Sequence, residues 1–173
     1  MAKGDTFFLR TKITTDSTNY VSDDIDISAY TDPARGRVLI VDRAVITFGT
    51  DGNGPVNPAD VGSGAASKSL GAQACTEKQT AFVEMSNNSL FMRSNLYAST
   101  VTGPNMSLLV QTDSLNPAEY VGGFIVPTDA IHCGIDATSA WAAELDVGFL
   151  FEVHTEKLSL QRIQELLVSL TAN

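Results

Sequence analysis

The 173-residue chain is poor in the residues that build metal and nucleophile sites, with only two cysteines and two histidines. Two cysteines, Cys75 and Cys133, are too few for a disulfide framework, so both are predicted to be buried thiols. One long-range disulfide between them stays open for a product that later meets an oxidising environment. These two cysteines and the two histidines also lack the spacing of a zinc site.

The two histidines offer no clear catalytic arrangement. His132 directly precedes Cys133 in a short β segment, where neighbouring side chains face opposite ways, so this adjacency argues against a dyad. A pairing of Cys75 with His154 stays open, although nothing in the sequence supports it. We therefore predict that the chain is not an enzyme and needs no cofactor.

Basic residues are few, at 11 Lys and Arg against 20 Asp and Glu, for a net charge of −9. Broad nucleic-acid binding needs a basic footprint, so no specific nucleic-acid recognition is predicted. A local basic face stays open, because net charge does not describe distribution. Arg35, Arg37 and Arg43 are the nearest approach to a cluster.

Long hydrophobic runs are absent. No stretch approaches the ~18 apolar residues of a membrane span, so the chain is predicted not to cross a membrane. The first residues, 1–5, contain an aspartate and lack the apolar region of a signal peptide. We expect a product made in the cytosol without cleavage.

What the chain does have is clear periodicity near its C-terminus. From Glu144 to Thr155 polar residues alternate with apolar ones, which is the period of a half-buried strand. The apolar members are Leu145, Val147, Phe149, Phe151 and Val153. From Ser159 the spacing changes to one face of an amphipathic helix, predicted over 159–171. Its apolar members are Leu160, Ile163, Leu166, Leu167 and Leu170.

Further short β segments precede this strand, most of them separated by turn residues. They are Thr6–Thr14, Asp24–Ala29, Arg37–Gly49, Thr80–Met85, Ser89–Tyr97, Met106–Thr112, Gly122–Val126 and Ala130–Ile135. The two faces of Arg37–Gly49 change phase, which predicts a bulge around Asp42–Arg43. Eight or nine strands without interleaved helices predict an all-β antiparallel sandwich.

The chain is predicted to be a single domain, 1–173, with a flexible N-terminus over 1–5. A long Gly/Ala/Ser-rich loop is expected over 50–71. Its oxygen-bearing residues are weak candidates for calcium, since Asp-Gly and Asn-Gly are also ordinary turn pairs. These candidates are Asp51, Asn53, Asn57 and Asp60.

At the level of pattern, the chain resembles the small single jelly-roll capsid proteins of tailless icosahedral viruses, particularly archaeal and bacterial ones. The resemblance rests on the strand count, on the segment Thr128–Asp136 and on Leu145–Leu158 as a closing strand. It implies a jelly-roll sandwich of about eight strands with a C-terminal helix. It further implies a virion subunit that assembles into an icosahedral shell with copies of itself and other virion proteins, over a possible underlying membrane.

A helix of about twelve residues is marginal alone in water, so it must dock on its own sandwich or on a partner. Both options stay open. The predicted oligomer interface consists of Leu160, Ile163, Leu166, Leu167, Leu170 and Trp141. The alternative function is a receptor- or carbohydrate-binding module of a spike, fibre or surface protein, with Thr50–Gly71 as its binding loop. A metal enzyme of the cupin type would need a histidine cluster.

Overall fold

The computed structural model describes residues 5–15, 18–50, 54–56, 66–100 and 107–171, with backbone alone at 66, 100, 107, 108 and 171. The calcium candidates Asp51, Asn53, Asn57 and Asp60 lie outside the described residues, as do 1–4 of the predicted flexible N-terminus and 57–65 of the predicted loop.

The described residues form ten strands and one α-helix. They are β1 (Phe7–Thr15), β2 (Val21–Asp26), β3 (Arg37–Thr50), β4 (Gly54–Pro55), β5 (Ala66–Cys75), β6 (Leu90–Thr100), β7 (Ser107–Leu115), β8 (Phe124–Val126), β9 (Ala130–Ala137), β10 (Leu145–Lys157) and α1 (Leu160–Thr171). Two single-turn 3-10 helices, Pro33–Arg35 and Pro117–Glu119, begin with Pro after an Asx cap.

The strands make two antiparallel sheets. Sheet A has the order β1-β10-β3-β4, with β8 also paired to β3, and sheet B has the order β2-β9-β5-β6-β7. Four pairings are nested along the chain: β1 with β10, β2 with β9, β3 with β8, and β5 with β6. A long hairpin wrapped into two sheets in this way is a jelly roll. The predicted fold class is confirmed.

The alternation of β10 explains its central place in sheet A. Its inward residues Leu145, Val147, Phe149, Phe151 and Val153 are all buried in the main core. The neighbouring register pairs Glu152 with Arg43 but Val153 with Val41, so Asp42 is the extra residue of a bulge. The predicted bulge is confirmed. It shifts the inward-facing positions of β3 from Leu39 and Val41 before the bulge to Ala44 and Ile46 after it.

A second, smaller cluster joins α1 to the outer face of sheet A. Val38, Ile40 and Ile163 are buried in it, with Ile125 and Leu158 packed alongside. Val38 and Ile40 alternate with Leu39 and Val41, which belong to the main core. The C-terminal helix therefore forms a third layer over sheet A.

Two parts of the sequence prediction need correction. Within the predicted loop, Gly54–Pro55 form β4, and residues 66–71 belong to β5, where β6 pairs with all six and β9 pairs with Leu70 and Gly71. The segment Thr80–Met85, predicted as a strand, has no strand structure. It lies over sheet B instead, because the ring of Phe82 fills the space above Gly71, where the sheet carries no side chain.

Candidate functional site

Helix α1 begins at a serine cap, where Ser159 Oγ accepts a hydrogen bond of 3.3 Å from the backbone N–H of Arg162. Ile163 and Leu170 face the sandwich and are 3% and 8% exposed, while Leu166 is half-buried. Leu160 and Val168 are 54% and 67% exposed, and Leu167 is also exposed. The apolar arc of α1 is therefore wider than the part that the sandwich covers.

We call the exposed residues Leu160, Leu167 and Val168 the α1 ridge. Their spacing of seven and eight residues places them on one face of the helix. Of the six predicted interface residues, only Leu160 and Leu167 belong to this ridge. Ile163 and Leu170 are covered by their own chain, which corrects the prediction for them.

Trp141, the sixth residue of that prediction, lies in the main core and is 6% exposed. Its indole Nε1 has no hydrogen-bond partner among the described residues. Because the ring packs with core residues, Trp141 offers little surface to a second subunit. In the sequence, Trp141 lies just before the last strand, and the pattern there does not distinguish a core residue from an interface residue.

A groove of about 450 Å³ lies on the other side of α1 from the ridge. One wall is formed by Arg162, Leu166, Ser169 and Leu170. The opposite wall comes from the segment leading into β8 and from β8 itself, with Tyr120, Val121, Phe124 and Ile125. Val121 is fully exposed and Tyr120 is partly exposed. We call this surface the α1 groove.

Sheet B ends in two different edges. Edge strand β2 carries Asp23, Asp24 and Asp26, and Asp23 accepts a hydrogen bond from Thr11 of β1. Charge and contact with β1 thus protect this edge. Edge strand β7 is nine residues long, and Asp113 is its one charged residue. Within the described chain, β7 pairs along one side, with β6.

The two histidines lie on different sheets. His132 Nδ1 is 2.8 Å from Asp24 Oδ1 in sheet B, and Lys78 Nζ donates a 2.9 Å hydrogen bond to Asp24 Oδ2. Burial raises the pKa of Asp24, but hydrogen bonds from His132 and Lys78 outweigh it and leave the pKa below its ordinary value. His154 Nδ1 is 2.7 Å from Asp42 Oδ2 in sheet A. The fold holds the two histidines apart, so they do not form the cluster that a cupin needs.

Both cysteines are buried thiols. Cys75 and Cys133 are 1% and 0% exposed, and neither is in a disulfide. Burial raises the pKa of Cys75 to about 12 and that of Cys133 well above its ordinary value. Among the described residues, no group of three or more His, Cys, Asp or Glu side chains could hold a metal ion. In that same part of the chain, α1 falls short of the length and hydropathy needed to cross a membrane.

No protein-family model and no curated protein matches the chain. Solved structures of viral capsid proteins do. VP1 of Trichodysplasia spinulosa-associated polyomavirus, in complex with sialylated precision glycooligomers, is 7% identical over 87% of this chain and 95% of its own, with a TM-score of 0.41. The unassembled VP1 pentamer of Merkel cell polyomavirus is 5% identical over 87% and 96%, with a TM-score of 0.39.

A chain of turnip yellow mosaic virus is 9% identical over 89% of this chain and 95% of its own, with a TM-score of 0.33. All three TM-scores fall below 0.5.

Sequence reasoning missed Val168, Tyr120 and Val121. Val168 stands eight residues after Leu160, so a helical wheel that included valine would have placed it on the ridge. Tyr120 and Val121 lie after the 3-10 turn Pro117–Glu119, in a segment without periodicity. No linear signal there predicts an exposed apolar pair.

Proposed function

We propose that this chain is a viral capsid subunit that self-assembles into an icosahedral shell. Its partners are copies of itself and other virion proteins, and its role is structural rather than catalytic. The nested strand pairs support this, because jelly rolls are a recurrent architecture of capsid proteins, although lectin domains and cupins use it as well. Because fold alone does not establish function, a capsid subunit must also carry a surface suited to contacts between subunits.

The observation that carries the proposal is the α1 ridge. Leu160 and Val168 stay more than half exposed on a helix that already docks on its own sandwich. Exposed apolar clusters of this kind mark interaction sites. Burying each side chain fully at a contact contributes roughly 1.5–3 kcal/mol. Because the same contact is repeated around a closed assembly, a modest free energy per contact is sufficient to hold the assembly together.

The occupant that we assign to the α1 groove is the ridge of a second copy. Ridge and groove lie on different sides of the same helix, so one subunit can present its ridge while its groove receives another. A contact between two different surfaces of identical chains is heterologous, and it closes into a ring when the rotation allows. Rings are the units from which a closed shell is built.

The edge of β7 supports assembly independently. A nine-residue edge strand with one charged side chain offers backbone groups for pairing, whereas β2 is protected by three aspartates. Natural proteins protect or cover such edges. A neighbouring subunit in a shell would supply the cover.

Sedimentation velocity of a ridge variant tests the proposal. Val168→Glu places a charge on the ridge and should abolish association while the far-UV CD spectrum stays unchanged. Ala142→Glu adds the same charge at an exposed loop position before β10, outside both the ridge and the α1 groove, and should leave association largely intact. Equal behaviour of the two variants would mean that net charge, and not the ridge, controls assembly.

The alternative function, a receptor- or carbohydrate-binding module, keeps one specific observation in its favour. Part of its predicted binding loop is strand β5. The outward face of that strand borders a groove that is lined by an exposed tyrosine and by hydroxyl side chains. A chain that remains monomeric under all conditions and binds glycans would favour this alternative over the shell.

A further inference from the structure

The outward face of sheet B is polar where β5, β6 and β9 run side by side. Leu70 and Ala72 of β5 point into the core, so Ser69 and Gly71 point outward. The register places Tyr97 beside Ser69, and Asn95 and Asp136 on either side of Gly71. Three strands that are distant in sequence thus bring an aromatic ring, an amide, a carboxylate and hydroxyls to one surface.

This surface is hollowed by two adjoining depressions of about 300 and 240 Å³. Ser69 and Thr138 line both, so the depressions form one groove, which we call the sheet B groove. Its first part is bordered by Tyr97 and Ser99, and its second part by Arg93 and Asp136. Combined, they reach the size range of small-ligand sites.

Gly71 and Phe82 shape the second part of the groove. Gly71 has no side chain, and the ring of Phe82 occupies the space where a Cβ would project. The guanidinium carbon of Arg93 lies 4.7 Å from the centre of that ring, and Nη1 donates a 3.2 Å hydrogen bond to the carbonyl oxygen of Val83. The ring and this bond orient Arg93, which keeps further N–H donors for a ligand.

Hydrogen bonds also orient the polar side chains along the floor of the sheet B groove. Thr138 Oγ1 accepts a 3.0 Å hydrogen bond from the backbone N–H of Ser69. The hydroxyl oxygens of Ser67 and Ser99 lie 3.2 Å apart across β5 and β6. Each hydroxyl has one donor and two acceptor positions, so these groups retain capacity for a ligand.

We propose that the sheet B groove binds a neutral oligosaccharide. The Tyr97 side chain is 48% exposed and offers a flat apolar face against which the C–H face of a sugar ring can stack. The Asp136 carboxylate accepts hydrogen bonds from adjacent sugar hydroxyls, and Arg93 donates to their oxygens. A donor and an acceptor that line the same depression match the pattern that neighbouring sugar hydroxyls present.

Charge favours a neutral ligand over an acidic one. Arg93 and Asp136 line the same part of the groove and offset each other. The Lys68 ammonium lines the other part, where its hydrogen bond to the carbonyl oxygen of Ala140 orients it but leaves its positive charge. The preference for a neutral ligand therefore comes from the net charge of −9 on the whole chain, which disfavours the approach of anions. This inference does not depend on shell formation, since every residue involved belongs to one chain.

Saturation-transfer NMR with a panel of neutral hexose oligosaccharides tests the proposal, with sialylated oligosaccharides as a separate arm. We expect binding of one or more neutral compounds and an affinity about tenfold weaker in Tyr97→Ala, because the stacking surface is lost. Tyr97→Phe should bind like the parent chain. Tyr30→Ala removes another exposed tyrosine far from the groove in sequence and should also leave binding unchanged.

Asp136→Asn keeps the shape of its side chain, so it tests the groove even where Tyr97→Ala fails to fold. It should weaken binding severalfold. The absence of any neutral ligand, binding restricted to the sialylated arm, or unchanged affinity in both groove variants would overturn the proposal. Particle formation is scored separately, so failure of the groove and failure of the shell give different results.

Discussion

Thr14 Oγ1 donates a 2.5 Å hydrogen bond to Oδ1 of Asp146, a residue 132 positions later in the chain. Lys12 Nζ lies 3.0 Å from Oδ2 of the same carboxylate. The three side chains join β1 to β10, the outermost of the nested strand pairs. One almost buried carboxylate therefore fastens the first strand of the jelly roll to the last.

This arrangement predicts loss of stability in acid. The hydrogen bond from Thr14, followed by that from Lys12, holds the pKa of Asp146 below its ordinary value. A lowered carboxyl pKa stabilises the fold above the unfolded-state pKa, near 3.9, and the contribution disappears as pH falls through the folded-state pKa. Asp146→Asn should lower the free energy of unfolding by roughly 1–3 kcal/mol at neutral pH.

Urea unfolding at several pH values checks this prediction. The difference between the parent chain and Asp146→Asn should shrink toward the acid end of the range. Glu144→Gln, which removes a nearby exposed carboxylate, is the matched control and should behave like the parent chain. A difference that stays constant with pH would show that ionisation of Asp146 does not stabilise the fold.

The buried thiols should be inert in the native state. Burial raises the pKa of both Cys75 and Cys133, and thiolate is the reactive form. A chromogenic disulfide reagent should label neither residue at neutral pH and both in urea. Rapid labelling of the native chain would contradict the placement of the two side chains.

The two kinds of apolar residue on α1 should respond differently to truncation. Ile163→Ala leaves a cavity against Val38 and Ile40 and should cost about 2–4 kcal/mol of stability. Leu160→Ala removes an exposed side chain and should cost under about 1 kcal/mol. Thermal unfolding of the dissociated chain measures both. Equal losses would mean that the ridge also contributes to the fold.

Strong periodicity made the C-terminal elements predictable. The alternation over Glu144–Thr155 and the helical spacing after Ser159 match β10 and α1 closely, because each has an apolar face that only one secondary structure can bury. The bulge at Asp42 could also be predicted from the sequence, because a phase change in the apolar pattern of a strand requires an extra residue.

The remaining features could not be predicted from the sequence, in part because small side chains carry little pattern. Residues 66–71 are mostly Ala, Ser and Gly, whose side chains give no period. They form a strand because β6 pairs with the whole segment and β9 pairs with its last two residues, Leu70 and Gly71. The sheet B groove combines Ser69, Tyr97 and Asp136 through that same pairing, so no local pattern signals it. Ile163 and Leu160 share one helical pattern, and only the packed structure shows which of them is buried.

Negative-stain electron microscopy of the purified chain, over a range of protein concentration and salt, tests the capsid proposal most directly. Salt screens the net charge of −9, so raising it should favour association through the apolar ridge. The predicted result is uniform closed particles that disappear in Val168→Glu and persist in Ala142→Glu. A parent chain that stays monomeric under every condition would contradict the assignment of this chain as a shell-forming subunit.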